Sequence, residues 1–514
     1  MCEARAGRCS RGTRVSNRTV RPPGSTIDKD LDKLGFVEEA TGHLSRSLIA
    51  LGFAVLFIVM SASTAALIFF DSPHWFLLTA ALALGGYMAL NIGANDVANN
   101  VGPAVGARVM TMTSALVLAA LCESAGALLA GGEVVTTIST RIVDVGGFSE
   151  QADFPIAMLA ALVAAALWIN IATVLGAPVS TTHAVVGGVV GAAMMSAGSS
   201  VVSWGTVGAI AASWVVSPLL GGLVAAALLA LVKTFIIYRT DKIGAAKRWL
   251  PVMFGMMAGT FALYLVVVGL SRSFGFEPRE VIAIVAGVSV GTYLISRRMI
   301  ARAATGLENR NQSLRRLFRI PLIAAAAVLS FAHGANDVAN AVGPVAAIFS
   351  AFDGEGRPVV LDANLFPVLV VGALGISLGL LLFGPRLVRM VGERITRLNP
   401  IRAYCVALAT GATVLLASGL GLPVSSTHIA VGAVFGVGFY REWFMNRARK
   451  RRFCEVWPLA IGLPALQRRE PADMRRRKLV RRAHVLTIVS AWGVTVPASA
   501  MLAALVFMLF SVVR

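Results

Sequence analysis

The sequence predicts an all-α polytopic membrane protein of about 12–13 transmembrane helices, in two inverted-topology repeats with broken helices. Three observations predict it. The 514 residues are 57% hydrophobic and only 14% charged, where a soluble globular chain is about a quarter charged. Many apolar runs reach the ~20 residues that cross a bilayer. Two polar motifs each occur twice, in the same order, inside those runs. The net charge of +20 would suggest nucleic acid in a soluble chain, but here Lys and Arg fall between the apolar runs and mark cytoplasmic loops. The expected partner is therefore the lipid bilayer and not nucleic acid. Cys2, Cys9, Cys122, Cys405 and Cys454 lack metal-ligand spacing, and Cys122 and Cys405 read as small core residues.

Along the chain, residues 1–46 are polar and Arg-rich with no apolar stretch near Met1. They read as a disordered basic cytoplasmic tail rather than a signal peptide. Apolar spans follow at 48–70, 75–105, 110–131, 154–176, 178–198, 204–232, 251–270, 280–297, 320–350, 365–384, 401–420, 423–440 and 484–512. Basic stretches come after even-numbered spans, at Lys233 to Arg248, Arg297 to Arg319, Arg386 to Arg397 and Arg441 to Arg482. Loops after odd-numbered spans hold Asp144, Glu150 and Asp153, or Asp353, Glu355 and Asp362. The excess of positive charge on cytoplasmic loops then puts the N-terminus inside and the C-terminus outside the cell (inner/plasma) membrane. The expected organisation is a first transmembrane repeat over 47–232, central basic loops and connecting helices over 233–319, and a second repeat over 320–440. A basic cytoplasmic insertion over 441–483 and a final helix over 484–514 complete it.

The first motif, Gly93 to Pro103 (GANDVANNVGP), returns as Gly334 to Pro344 (GANDVANAVGP). The second, Gly176 to His183 (GAPVSTTH), returns as Gly421 to His428 (GLPVSSTH). Ser213 to Pro218 is echoed loosely by Ala491 to Pro497. Each motif pair lies an odd number of spans apart, so the second copy runs in the opposite direction. Inverted repeats of this kind place substrate sites near the bilayer midplane, where the halves meet.

Each first motif puts a carboxylate, Asp96 or Asp337, at membrane depth, which costs roughly 2.5–3.5 kcal/mol on insertion scales. Bearing that cost twice implies ion-coupled transport. Asn95 and Asn99, like Asn336 and Asn340, stand four apart and share a helix face. With Gly and Pro expected to unwind the helix nearby, each repeat offers carboxylate, amide and backbone oxygens, a donor set suited to Na⁺. Glu123, in the third span, is a further candidate cation ligand. The bland alternative is polar glue between packed helices.

The second motif has the form of an anion site. Pro178 and Pro423 are expected in the first turn of a helix, followed by Ser180, Thr181 and Thr182 or by Ser425, Ser426 and Thr427. Hydroxyls and free N–H groups at a helix N-terminus attract a negative ligand, and capping alone is the competing reading. Two such ends facing each other could enclose a small tetrahedral oxyanion. No Lys or Arg lies in either motif, so co-bound cations must offset its charge. His183, His333 and His428 border the motifs and keep proton coupling open.

These residues resemble the PiT family of inorganic phosphate transporters. The resemblance rests on both GANDVAN signatures, the second preceded by Ser330 to His333, and on both PVS(S/T)TH signatures. Glu123 in Leu121 to Gly126 and Trp168 also match. It covers most of 75–440 and the last span, and the GAND spelling is similar to sodium-coupled members. It departs at Ala407, where relatives often carry Glu or Gln. What the resemblance implies is a non-enzymatic carrier that imports inorganic phosphate with Na⁺ or H⁺ as coupling ion, with no other cofactor, by alternating access. Its phosphate ligands would be Ser180, Thr181, Thr182, Ser425, Ser426 and Thr427. Its Na⁺ ligands would be Asn95, Asp96, Asn99, Glu123, Asn336, Asp337 and Asn340. A homodimer stays open. The alternatives are a symporter of sulfate or another tetrahedral oxyanion, an anion channel, and, remotely, an intramembrane aspartyl protease.

Overall fold

This computed structural model describes residues 48–148, 153–175, 179–270, 274–352, 365–394, 399–456 and 482–513. The tail over 1–46, most of the basic insertion and Pro178 lie outside the described residues. The chain divides into Met1–Phe53, of which 48–53 are described and helical, and Ala54–Arg514, which carries everything below.

Each expected apolar span is a helix. In chain order these are α1 (Leu48–Ile68), α2 (Trp75–Gly106), α3 (Met112–Ala130), the short α4 (Gly132–Thr136) and α5 (Asp153–Leu175). Next come α6 (Thr181–Ala197), α7 (Trp204–Val232), α8 (Lys242–Tyr264), α9 (Pro278–Ala303) and the short α10 (Asn311–Leu317). Last are α11 (Arg319–Phe352), α12 (Leu365–Arg394), α13 (Pro400–Gly419), α14 (Ser426–Val456) and α15 (Arg482–Val513). The chain is an all-α polytopic membrane protein, with 11 helices among the described residues long and apolar enough to cross a bilayer. The expected count of about 12–13 is reached only by adding α6 and α14, which begin at the second motif. At 17 residues and ~1.5 Å per residue, α6 falls short of the ~30 Å hydrocarbon core.

The breaks are not where the Gly and Pro of the first motif suggested. Helices α2 and α11 run unbroken through GANDVAN, with Pro103 and Pro344 inside them. Transmembrane helices tolerate such prolines because packed neighbours re-satisfy the freed groups. Lacking an N–H, each proline leaves the carbonyl four residues back, that of Asn99 or Asn340, without its helical donor. The chain breaks instead at the second motif, between α5 and α6 and between α13 and α14. Gly421, at φ 69°, ends α13 in a Schellman turn. Its N–H donates to the Ser418 carbonyl at 2.9 Å, and that of Leu422 to the Ala417 carbonyl at 3.0 Å.

The repeats interlock. Helix α2 packs on α12 and α3 on α11, while α6 packs on α15 and α14 on α7. Gly93 and Gly334 are both required at these crossings: a Cβ there would strike the carbonyl oxygen of Ile376 or of Glu123. The reciprocal glycines, Gly379 and Gly126, face the carbonyls of Leu90 and Phe331. On α2 and α11, Gly85 meets Val345 while Asp96 meets His333, so these two helices run antiparallel. That is the inverted repeat the loop charges implied. Near its axis Ser124 hydrogen-bonds its repeat counterpart Ser377 at 2.7 Å, and the rings of His183 and His428 stand 4.7 Å apart.

Candidate functional site

Helices α5 and α6 pack on each other, and the segment ahead of α5 is tied to the segment that follows α6. The Asp144 N–H donates to the Val201 carbonyl at 2.8 Å and the Ser203 N–H to that of Ile142 at 2.9 Å. Of the first copy of the second motif, Val179 to His183 are described, at the start of α6. Ser180 caps α6, accepting from the His183 N–H at 3.3 Å, and Ser425 caps α14 identically through the His428 N–H at 3.3 Å. The expected place of Pro423 in the first helical turn is corrected: α14 starts at Ser426, and Pro423 precedes the cap. An Asn336 clamp holds this approach, its amide donating to Ser418 Oγ at 2.9 Å and the Leu422 carbonyl at 3.2 Å. Its Oδ1 accepts from the Val424 N–H at 3.2 Å.

The hydroxyls after the caps reach the aspartates. Thr181 Oγ1 donates to Asp96 Oδ2 at 3.2 Å, and its counterpart Ser426 donates to Asp337 Oδ2 at 2.9 Å. A second set crosses between repeats. Asn99 donates to Thr427 Oγ1 at 2.8 Å, and Asn340 donates to Thr182 Oγ1 at 3.1 Å. Thr427 also donates to Asp96 Oδ1 at 3.0 Å, whereas Thr182 donates to the Val424 carbonyl at 3.1 Å. Asn95 donates to Asp96 Oδ1 at 3.0 Å and Asn340 to Asp337 Oδ1 at 3.3 Å. The residues expected to hold cation and anion thus form two hydrogen-bonded groups, one around Asp96 and one around Asp337, each drawing hydroxyls from both copies of the second motif.

Asp96, Asp337 and Glu123 are each 1% exposed and His333 is fully buried. One oxygen of each aspartate and a His333 ring nitrogen all lie within 4.8 Å of one another. His333 Nε2 stands 2.9 Å from Asp337 Oδ2 and 3.9 Å from Asp96 Oδ2, and Nδ1 stands 3.1 Å from Glu123 Oε2. These are close approaches without hydrogen-bond alignment. Asn100 donates to Glu123 Oε1 at 2.7 Å. Asn100 Oδ1 and Asn340 Oδ1 are buried with no donor, and orphaned amide oxygens beside carboxylates fit the donor set of a small hard cation.

This last group breaks the symmetry. Under exchange of the repeats, Asn100 and Glu123 of the first correspond to Ala341 and Ile376 of the second, and His333 of the second corresponds to Ile92 of the first. Of the three, Asn100 and His333 were not among the expected ligands. The spacing of His333 four residues before Asp337 could have signalled its role, because i,i+4 side chains meet on a helix. Ala407 is buried on α13 and brings no acid to the site.

Residues 92–503 match the Phosphate transporter family. The chain belongs to that family. Among relatives, a Helicobacter pylori (strain J99) protein named "Putative phosphate permease" is 42% identical over 517 residues, covering 91% of this chain and 96% of its own. A Haemophilus influenzae protein of the same name is 33% identical over 428 residues, covering 82% and 94%. A solved structure described as "The sodium-dependent phosphate transporter" aligns with TM-score 0.74 and 32% identity, over 85% of this chain and all of its own. Family membership joins the two motifs to phosphate transport; the ligand assignments rest on the geometry above.

Proposed function

We propose that the chain imports inorganic phosphate by symport with a cation, Na⁺ first, through alternating access between the two repeats. One observation carries this reading. The same hydroxyls that would bind an anion, on Thr181 and Ser426, donate to the carboxylates that would bind a cation, on Asp96 and Asp337. A cation on an aspartate oxygen satisfies the carboxylate and releases the hydroxyl to the anion. An anion at the helix ends draws the hydroxyl away and opens the carboxylate to the cation. Each ligand thereby strengthens the other, which by linkage must be reciprocal.

The named description of the structural neighbour supports sodium. The Asn95, Asp96, Asn99, Asn100 and Glu123 set and the Asn336, Asp337 and Asn340 set are its ligands in this reading, and Thr181, Thr182, Ser426 and Thr427 hold the phosphate. Ser180 and Ser425 complete the anion site from their capping positions. Proton coupling is the second reading, favoured by His333 between Glu123 and Asp337. The protein lies in the plasma membrane with its N-terminus cytoplasmic and C-terminus external, and is not an enzyme.

Uptake of labelled phosphate and labelled sulfate into proteoliposomes, with Na⁺ and proton gradients imposed separately, tests all of this. The expected result is phosphate uptake driven by inward Na⁺ alone. Uptake of sulfate in its place, or of neither anion, would overturn the reading. Phosphate uptake driven only by protons would replace Na⁺ with the second reading.

A further inference from the structure

We propose a second anion site, outside both motifs, where four cations from α7, α10, α13 and α14 converge to hold a phosphate group. Lys233 opens the π-turn that extends α7 (Lys233–Ile237), and its Nζ lies over the rings of Tyr440 and Phe444, 4.7 and 4.5 Å from their centroids. Tyr238 stacks on Phe444 at 5.3 Å. Arg441 follows Tyr440 on α14. Arg402, in the first turn of α13, is oriented by Asn399, whose Oδ1 accepts from its N–H at 3.0 Å and its Nε at 3.1 Å. Arg402 and Arg441 both act on Lys233, and Arg441 and Arg315 both act on Arg402.

Lys233, Arg402 and Arg441 are half-buried and Arg315 is exposed. Among the described residues, none of the four has a carboxylate in ion-pair contact. Aromatic packing and the Asn399 anchor therefore hold like charges together without a counter-ion among the described residues. The ligand that relieves this repulsion is an anion with several oxygens, and guanidinium forks match phosphate geometry in particular. The positive N-terminal end of α13 adds to the field. Such a phosphate group has two sources, the headgroup of an anionic phospholipid or free inorganic phosphate. The inference stands apart from the transport reading, because none of its residues belongs to either motif.

Native mass spectrometry of the full chain, in neutral detergent, tests it with two titrations: phosphatidylglycerol, and inorganic phosphate without lipid. Each is repeated on the triple variant Lys233→Gln, Arg402→Gln, Arg441→Gln, on Arg402→Gln alone, and on Arg279→Gln as a distant control. Losing charged hydrogen bonds should weaken binding at least about tenfold in the triple variant and about tenfold in Arg402→Gln, with Arg279→Gln unchanged. Weakening confined to phosphatidylglycerol identifies a lipid headgroup as the occupant, and weakening of one phosphate equivalent identifies the free ion. Equal binding by wild type and Arg402→Gln in both titrations overturns the proposal, even where the triple variant does not fold.

Discussion

Ser426→Ala separates a shared hydrogen bond from two independent sites. Ser426 Oγ donates to Asp337 Oδ2 at 2.9 Å, both groups buried. A hydrogen bond to a charged group contributes about 1.5–3 kcal/mol, and each 1.4 kcal/mol is tenfold in affinity. Removing the hydroxyl takes that amount from bound phosphate, so the half-saturating phosphate concentration should rise by about tenfold or more. Sodium should respond the other way. Without the hydroxyl, Asp337 has one donor fewer in the ligand-free protein, so Na⁺ binding measured without phosphate should tighten by up to about tenfold. Radiolabelled phosphate uptake into proteoliposomes gives the first quantity, and ²²Na⁺ binding to the purified protein gives the second. A parallel loss of both affinities would refute the shared bond and leave two sites coupled only through larger motions.

Asp96→Asn and Asp337→Asn should each abolish cation-driven uptake while leaving the protein inserted, because Asn keeps the shape and removes the charge; uptake assays beside a surface-labelling control check this. Gly93→Ala should destabilise the protein by about 1–3 kcal/mol through overpacking against the Ile376 carbonyl. Gly102→Ala, in the same motif but with open space around it, should be tolerated, and thermal melts of the two in detergent make the comparison. With two Na⁺ per monovalent phosphate, an inside-negative potential should add about 2.3 kcal/mol per 100 mV to accumulation. A potassium–valinomycin series at low pH, where the monovalent form predominates, measures it, and flat uptake would exclude that stoichiometry.

Helix positions were legible in the sequence because each span is an apolar run bounded by charge, but helices also run on into charged segments: α8 begins at Lys242 and not at 251, α12 ends at Arg394 and not at 384, and α14 continues to Val456, into the segment expected as a basic insertion. The inverted repeat was legible from motif spacing and loop sign. The role of the first-motif glycines was not. Gly93 and Gly334 read locally as helix breakers, yet they sit in unbroken helices, and glycine is needed there because the neighbouring backbone passes too close for a Cβ. No local pattern encodes that neighbour. The cluster of Glu123 and His333 was hidden for the same reason: the two are 3.1 Å apart only because α3 lies along α11. The hydroxyls were easier, since Thr181 and Ser426 follow capping serines that any helix start would use, while their aspartate partners lie in distant segments. Pro423 misled, because an X-Pro-X-Ser run fits a first turn as readily as the extended approach it actually occupies.

Asn100, Glu123 and His333 against Ala341, Ile376 and Ile92 bear on which way an idle carrier faces. Two chemically identical inverted halves would make the outward-open and inward-open forms mirror exchanges of one another, equal in energy and equally populated at rest. Here the two repeats together build a buried polar cluster at one place, from Asn100 and Glu123 of the first and His333 of the second, and hydrocarbon at the place related to it by exchange of the repeats. If the carrier works by alternating access, as proposed, swapping the roles of the halves is no longer a neutral exchange, and the empty protein would have a preferred face. That bias would exist before any gradient is applied, and it would be written into the molecule by three side chains.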